Sequence, residues 1–215
     1  MKTNLPAALL MAGLLISTLS GCSLPPKSSL GAEQVYRLSP EVSPVSGHAN
    51  SNVNLYLPPI SVDPALDNRH IMLSGSDNRL DFIANSRWPD KLSSYLQAVI
   101  IDGLSESKAF QSVSSRLPGR GHNYRLLLRV SDFQAEFPTE LSPDIKHQQH
   151  TNIVISLEAI LVRTQDQRMM GTYRYQAHRR SVPVKTGRIV AAFEQALGEI
   201  LAKLTTDLVK ATDKR

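Results

Sequence analysis

Apolar residues recur along this chain at two spacings, and the switches between them divide it into elements. Leu92, Tyr95, Leu96, Val99, Ile100 and Leu104 fall three and four residues apart, the spacing of one buried helix face. Arg87-Trp88-Pro89-Asp90 precedes them and reads as the opening of that helix. Proline is tolerated in a first turn, and an acidic residue suits the positive end of the helix dipole. The same spacing returns in Val190, Phe193, Leu197, Ile200, Leu201, Leu204 and Leu208, predicting a last helix over 187–210.

Elsewhere the period is two. Tyr124, Leu126, Leu128 and Val130 share one parity, and Phe133, Ala135 and Phe137 the other. A one-residue phase change near Ser131-Asp132 predicts a β-bulge in one long strand. Ile153, Ile155, Leu157, Ala159 and Leu161 alternate through a second long strand over 151–163, and a turn at Thr164–Gln167 predicts a hairpin into Met169–His178. Shorter strands are expected at Val35–Leu38, Val53–Leu57, Ile60–Val62, Ile71–Leu73, Leu80–Ile83 and around Phe110 and Val113. Pro58-Pro59 forbids a regular central ladder between the second and third of these, and implies an edge, a bend or a crossing point. Ser74–Asn78 reads as a turn, and Ser39–Asn52 as a polar connection. The order of strands, helix, strands and helix predicts an α/β fold, a two-layer sandwich with a mainly antiparallel sheet and two helices packed on one face.

The start of the chain is different. An apolar stretch from Leu5 to Leu19 follows Lys2 and ends in Leu19-Ser20-Gly21-Cys22. It is too short for a stable membrane span and has the layout of a secretory signal, residues 1–21. The Leu-Ser-Gly-Cys run matches the bacterial lipobox, which implies cleavage before Cys22, a diacylglycerol thioether on its sulfur and acylation of the new amino terminus, with palmitate as the acyl type expected. The alternative is a secreted chain with a chance cysteine, which would leave a lone thiol in an oxidising compartment. Ser23 is not the aspartate of an inner-membrane retention signal, so the outer membrane, at its periplasmic face, is the expected site. Residues 22–34, rich in Pro, Ser and Gly, read as a lipidated tether ahead of a domain over 35–215.

The 215 residues are 41% hydrophobic and 20% charged, enough apolar material for one core. Without the first 21 residues, 23 basic side chains face 19 acidic ones, a net charge of +4. That excess suits anionic headgroups or an acidic partner. It is too dilute for nucleic acid, which no envelope location favours.

Catalytic patterns are thin. Ser74-Gly75-Ser76-Asp77 lacks the second glycine of a nucleophile elbow. His147 and His150 have too few companions for a metal and read as loop histidines. Gly119-Arg120-Gly121 lacks the lysine and hydroxyl of a nucleotide loop and reads as a basic turn. His178-Arg179-Arg180, with Lys185 and Arg188 beyond, reads as a solvated strand end that could meet lipid phosphates or an acidic partner. Trp88 reads as a core lid. No cofactor and no catalytic or metal-binding residue is assigned, and Arg120, Arg179 and Arg180 are the candidate partner or headgroup contacts.

Residues and order together resemble a known family. Tyr36-Arg37-Leu38 follows the lipobox and tether, then come Ile60-Ser61-Val62, Leu66-Asp67-Asn68-Arg69, Ile71, Ser76-Asp77-Asn78-Arg79-Leu80, and Asn85-Ser86-Arg87-Trp88 with Leu92 in the helix beyond. This ordered set resembles the ABC-type transport auxiliary lipoproteins, the family that includes the lipoprotein of the paraquat-inducible Pqi system. The resemblance implies a non-enzymatic envelope lipoprotein that serves an MCE-domain protein and an ABC-type or other inner-membrane permease. Such systems are linked to moving lipids or other hydrophobic molecules between the two membranes. A homo-oligomer is left open. The rival reading is an independent carrier that holds an acyl chain between sheet and helices, which would need a sizeable apolar cavity.

Overall fold

Alternating burial makes the long central strands the spine of the fold. In a computed structural model, which describes residues 32–44, 50–116, 121, 123–138 and 150–213, β7 (Tyr124–Glu136) pairs antiparallel with β8 (His150–Arg163), and β8 with β9 (Met169–Pro183). Leu126, Leu128, Val130, Phe133 and Ala135 of β7 and Ile153, Ile155, Leu157, Ala159 and Leu161 of β8 all face the core. Their shared burial fixes the register, because a one-residue slip would turn every apolar side chain to the other face. The expected bulge is present, as a register shift between Val130 and Asp132.

The sheet is mixed, because the other edge of β7 is taken by parallel neighbours. β2 (Asn50–Tyr56) meets its start, with Leu55 opposite Tyr124, and β3 (Ser61–Val62) its middle, with Ser61 opposite Arg129. Pro58-Pro59 has no N–H to donate, so it interrupts the ladder between β2 and β3, yet the chain stays alongside β7 on both sides of the break. β4 (His70–Ser74) meets the end of β7, with Leu73 opposite Ala135. β5 (Leu80–Arg87) returns antiparallel along β4, β1 (Gln34–Val35) lies parallel on β5, and β6 (Phe110–Ser114) parallel on β2. Alternation reports which face is buried and not the direction of the neighbour, so the antiparallel expectation holds for β7, β8, β9 and the β4–β5 hairpin only.

Two helices, α1 (Leu92–Glu106) and α2 (Thr186–Asp213), cover one face of this sheet. Leu92, Tyr95, Leu96, Val99, Ile100 and Leu104 are buried on α1, and Ile189, Phe193, Leu197, Ile200, Leu201, Leu204 and Leu208 on α2. The start of α1 differs from the expectation. Arg87 ends β5, Trp88-Pro89-Asp90 forms the connection, and Lys91 at the cap supplies no side-chain hydrogen bond. Asp67 supplies it instead, its carboxylate accepting the Ser93 N–H at 3.0 Å. The middle of the layer interface holds four aromatic rings. Trp88 lies edge-on to Phe133 at 5.9 Å and to Phe193 at 5.8 Å and stacks with Tyr95 at 6.0 Å, while Phe133 and Phe193 stack at 4.6 Å. Trp88 is the core lid expected.

The expectation of a polar connection after Leu38 needs correction. Leu38, Pro40 and Val42 are buried in a strap across both helices. The Leu38 N–H donates to the Tyr95 hydroxyl, and the Ser39 N–H donates to a Glu194 carboxylate at 2.7 Å. The strap lies so close that a Cβ on Gly198 would stand 3.0 Å from the Glu41 carbonyl oxygen, and one on Gly103 would stand 3.3 Å from Val42. Leu38, Pro40 and Val42 alternate with the strand period, but Pro40, Pro44 and the polar Ser39 and Glu41 make the segment read as a connection. Residues 45–49 of that connection lie outside the described residues.

Candidate docking surface

The residues that carry the family resemblance turn out to hold the fold. In the loop before β4, the Asp63 carboxylate accepts the Ala65 N–H at 2.9 Å, and the Asn68 side-chain oxygen accepts the His70 N–H at 2.7 Å. The Leu92 N–H donates to the Asn68 carbonyl at 3.0 Å, and the Trp88 N–H to the Arg69 carbonyl at 2.8 Å. The Arg69 guanidinium donates to the Pro89 carbonyl, and Lys91 pairs with Asp67 at 3.1 Å. Burial opposes ionisation of Asp67, but the Ser93 N–H and hydroxyl and the Lys91 ammonium outweigh it and hold the carboxyl below its ordinary value. Leu66-Asp67-Asn68-Arg69 and Arg87-Trp88 are thus two sides of one joint between loop and helix. Asp67, Asn68, Arg69 and Lys91 are committed to structural partners in the joint.

The candidate cations have different fates. His178-Arg179-Arg180 is not a strand end: β9 continues to Pro183, through a bulge at which Ser181 has φ 55°. Arg179 faces the helices. Its guanidinium donates to Glu199 and to the His178 carbonyl at 3.0 Å each, and to the Gln195 carbonyl at 3.1 Å. It fastens the edge strand to α2. Arg180 is exposed. Cys22, Arg120 and His147 lie outside the described residues, and His150 begins β8 with its side chain exposed.

Alongside Arg179, Lys203 donates to Glu199 at 2.7 Å, and the two cations together hold that carboxyl below its ordinary value. Further along α2, the Tyr175 hydroxyl donates to Asp207 at 2.9 Å, and burial together with that carboxylate raises the phenol strongly. The helix-free face of the sheet was not singled out from the sequence. There Arg129, Glu158 and Arg174 stand in one row across β7, β8 and β9, with Arg174 and Glu158 paired at 2.7 Å. With Ser131, Ser156 and Gln176 they line an open groove of about 350 Å³. The alternation of β8 carries a signal for this face, since Ser156 and Glu158 interrupt the otherwise apolar run from Ile153 to Val162. Among the described residues no group of three His, Cys, Asp or Glu is placed to hold a metal, and no helix is long and apolar enough to cross a membrane. The arrangement suits polar, reversible contact over an open surface.

The family of ABC-type transport auxiliary lipoprotein components matches residues 36–205. Among solved structures, XCC0632 from Xanthomonas campestris, a DUF330 member, is 19% identical with a TM-score of 0.70, over 84% of this chain and 98% of that one. A second, uncharacterized protein is 16% identical with a TM-score of 0.63, over 82% and 99%. At these identities the likeness is one of fold. No protein of curated function matches the chain.

Proposed function

Since this chain belongs to the ABC-type transport auxiliary lipoprotein family, we propose that it is a non-enzymatic docking lipoprotein for an MCE-type system that moves lipids or other hydrophobic molecules between inner and outer membranes. In this reading Cys22 carries the acyl chains and holds the protein at the periplasmic face of the outer membrane. The globular unit from Ala32 onward receives the end of a periplasmic MCE assembly. Inner-membrane permease components complete the system.

One observation carries the choice of docking over carriage. A carrier of this architecture would hold an acyl chain between sheet and helices. That space is filled at its centre by Trp88, Phe133, Phe193 and Tyr95, whose neighbouring ring centroids lie 4.6–6.0 Å apart. Such close packing leaves the surface as the place where work is done, and polar rim charges there tune association rate and salt dependence.

The test is a pull-down with the cognate MCE protein. A form lacking residues 1–22 should bind it, yet fail to restore envelope function in cells because it is untethered. Failure to bind any MCE protein, with stoichiometric lipid in the purified domain, would favour the carrier instead.

A further inference from the structure

Four large apolar side chains are exposed among the described residues: Val35, Leu80, Phe82 and Met169, at 43–61%. Three of them belong to one corner of the sheet. Leu80 stands opposite Ser74 and Phe82 opposite Met72, and β4 is placed so that Ser74 faces Glu136. That parity puts Leu80 and Phe82 on the helix-free face, beside the turn that closes the β4–β5 hairpin. His70 stacks on Phe82 with ring centroids 4.2 Å apart, which holds the phenyl ring in place while leaving its outer side open. Val35 sits on the neighbouring strand, opposite Arg87. Met169 is remote, at the β8–β9 turn beyond the opposite end of the sheet.

The direction of β1 gives this corner its meaning. Gln34 pairs with Ser86 and Val35 with Arg87, in parallel. Ala32 and Glu33, the described residues ahead of Gln34, therefore lie toward the side of Asn85 and Leu80, which is the side of the exposed corner. Glu33 is fixed there by its ion pair with Arg87. Cys22 lies ten residues before Ala32, so the anchor stays within about 35 Å of this point even in a fully extended chain.

We propose that the Leu80–Phe82 corner is a second membrane contact, dipping into the interfacial layer of the bilayer that holds the acylated Cys22. The proposal rests on the anchoring reading given above. Asp77, Arg79 and Asp81 flank the corner with almost cancelling charge, so the contact is apolar in origin and does not depend on anionic lipid. Two contacts on one edge fix an orientation that a single point of attachment cannot. Membrane-seated at this corner, the domain turns the Thr164–Met169 end of its sheet away from the bilayer.

The test uses the mature lipidated protein in phosphatidylcholine vesicles. Its one native cysteine is Cys22, which the lipid occupies, so Leu80→Cys offers a single thiol for an environment-sensitive dye, and Met169→Cys is the matched control. Emission at position 80 should shift to the blue and be quenched by a lipid-borne nitroxide, unchanged by high salt, while position 169 stays water-like. Water-like emission at position 80 in protein that floats with the vesicles would overturn the proposal and leave the anchor intact. A shift that resists the nitroxide but grows with the protein-to-lipid ratio would assign the corner to a second copy and also overturn it. Protein that does not float would remove the anchoring reading and this proposal with it.

Discussion

Gly198 and Gly103 look alike in the sequence and differ in what a methyl group would meet. At Gly198 the neighbour is the Glu41 carbonyl oxygen at 3.0 Å, which is backbone, whereas at Gly103 the nearest atom is a terminal methyl of Leu201 at 2.8 Å, which can rotate. Alanine favours a helix over glycine by about 1 kcal/mol. Gly103→Ala should therefore be near neutral in a urea melt, and Gly198→Ala destabilising, with the strap lifted. Equal effects would show that the strap yields freely. Leu96 and Leu201 are both fully buried, and truncating either to Ala should cost on the order of 2–5 kcal/mol. Glu199 titrates below its ordinary 4.5 because Lys203 and Arg179 favour its charged form. Its contribution is complete above that ordinary value and is lost as pH falls through the lowered folded value. Glu199→Gln should therefore lower stability at pH 7, and the gap from the wild type should close in strong acid. A gap that persists in acid would mean that Glu199 acts by packing and not by charge.

Elements were legible in proportion to how regular their burial is. The bulge in β7 showed as a parity change because both halves of the strand bury their apolar residues on the same side. The apolar stripes of both helices were readable for the same reason. The parallel neighbours of β7 were not, since β2, β3 and β4 contribute only short, proline-broken segments whose direction depends on chain far away. β9 was read too short because Arg179, Arg180 and Ser181 are polar, although Arg179 spans to α2 through its hydrogen bonds. Of the candidate contacts among the described residues, this leaves Arg180 as the clean probe. Charge reversal at Arg180 should change MCE association with little effect on stability. The same change at Arg179 should lower the melting midpoint as well, because it sets two carboxylates against each other. The polar joint of Asp67, Asn68 and Arg69 was visible as a motif but not as a joint, for its partners at Trp88, Leu92 and Ser93 come from another element.

At the scale of the molecule, anchor and domain are separable in the reading proposed. Cys22→Ala should leave the precursor uncleaved and free of acyl label, and normal labelling of that variant would end the lipoprotein assignment. Ser23→Asp should move the protein toward the inner-membrane fraction, whereas an unchanged distribution would show that Ser23 does not direct sorting. The strap has a consequence for the order of these events. Ser39 is held by Glu194, and Glu41 lies against Gly198, so half of what fastens the strap comes from the last helix, the rest coming from Tyr95 and Gly103 of α1. A chain that emerges from a translocation channel amino terminus first cannot complete this fold until its final segment is through. Its lipobox would meet the modifying enzymes while everything behind it is still open chain, and closure would follow anchoring. Long-range closures of this kind are slow to form. A chain stopped at residue 185 should stay open to protease between Tyr36 and Pro44, where the full-length protein resists cleavage, and equal resistance in both would show that the strap closes without its last helix.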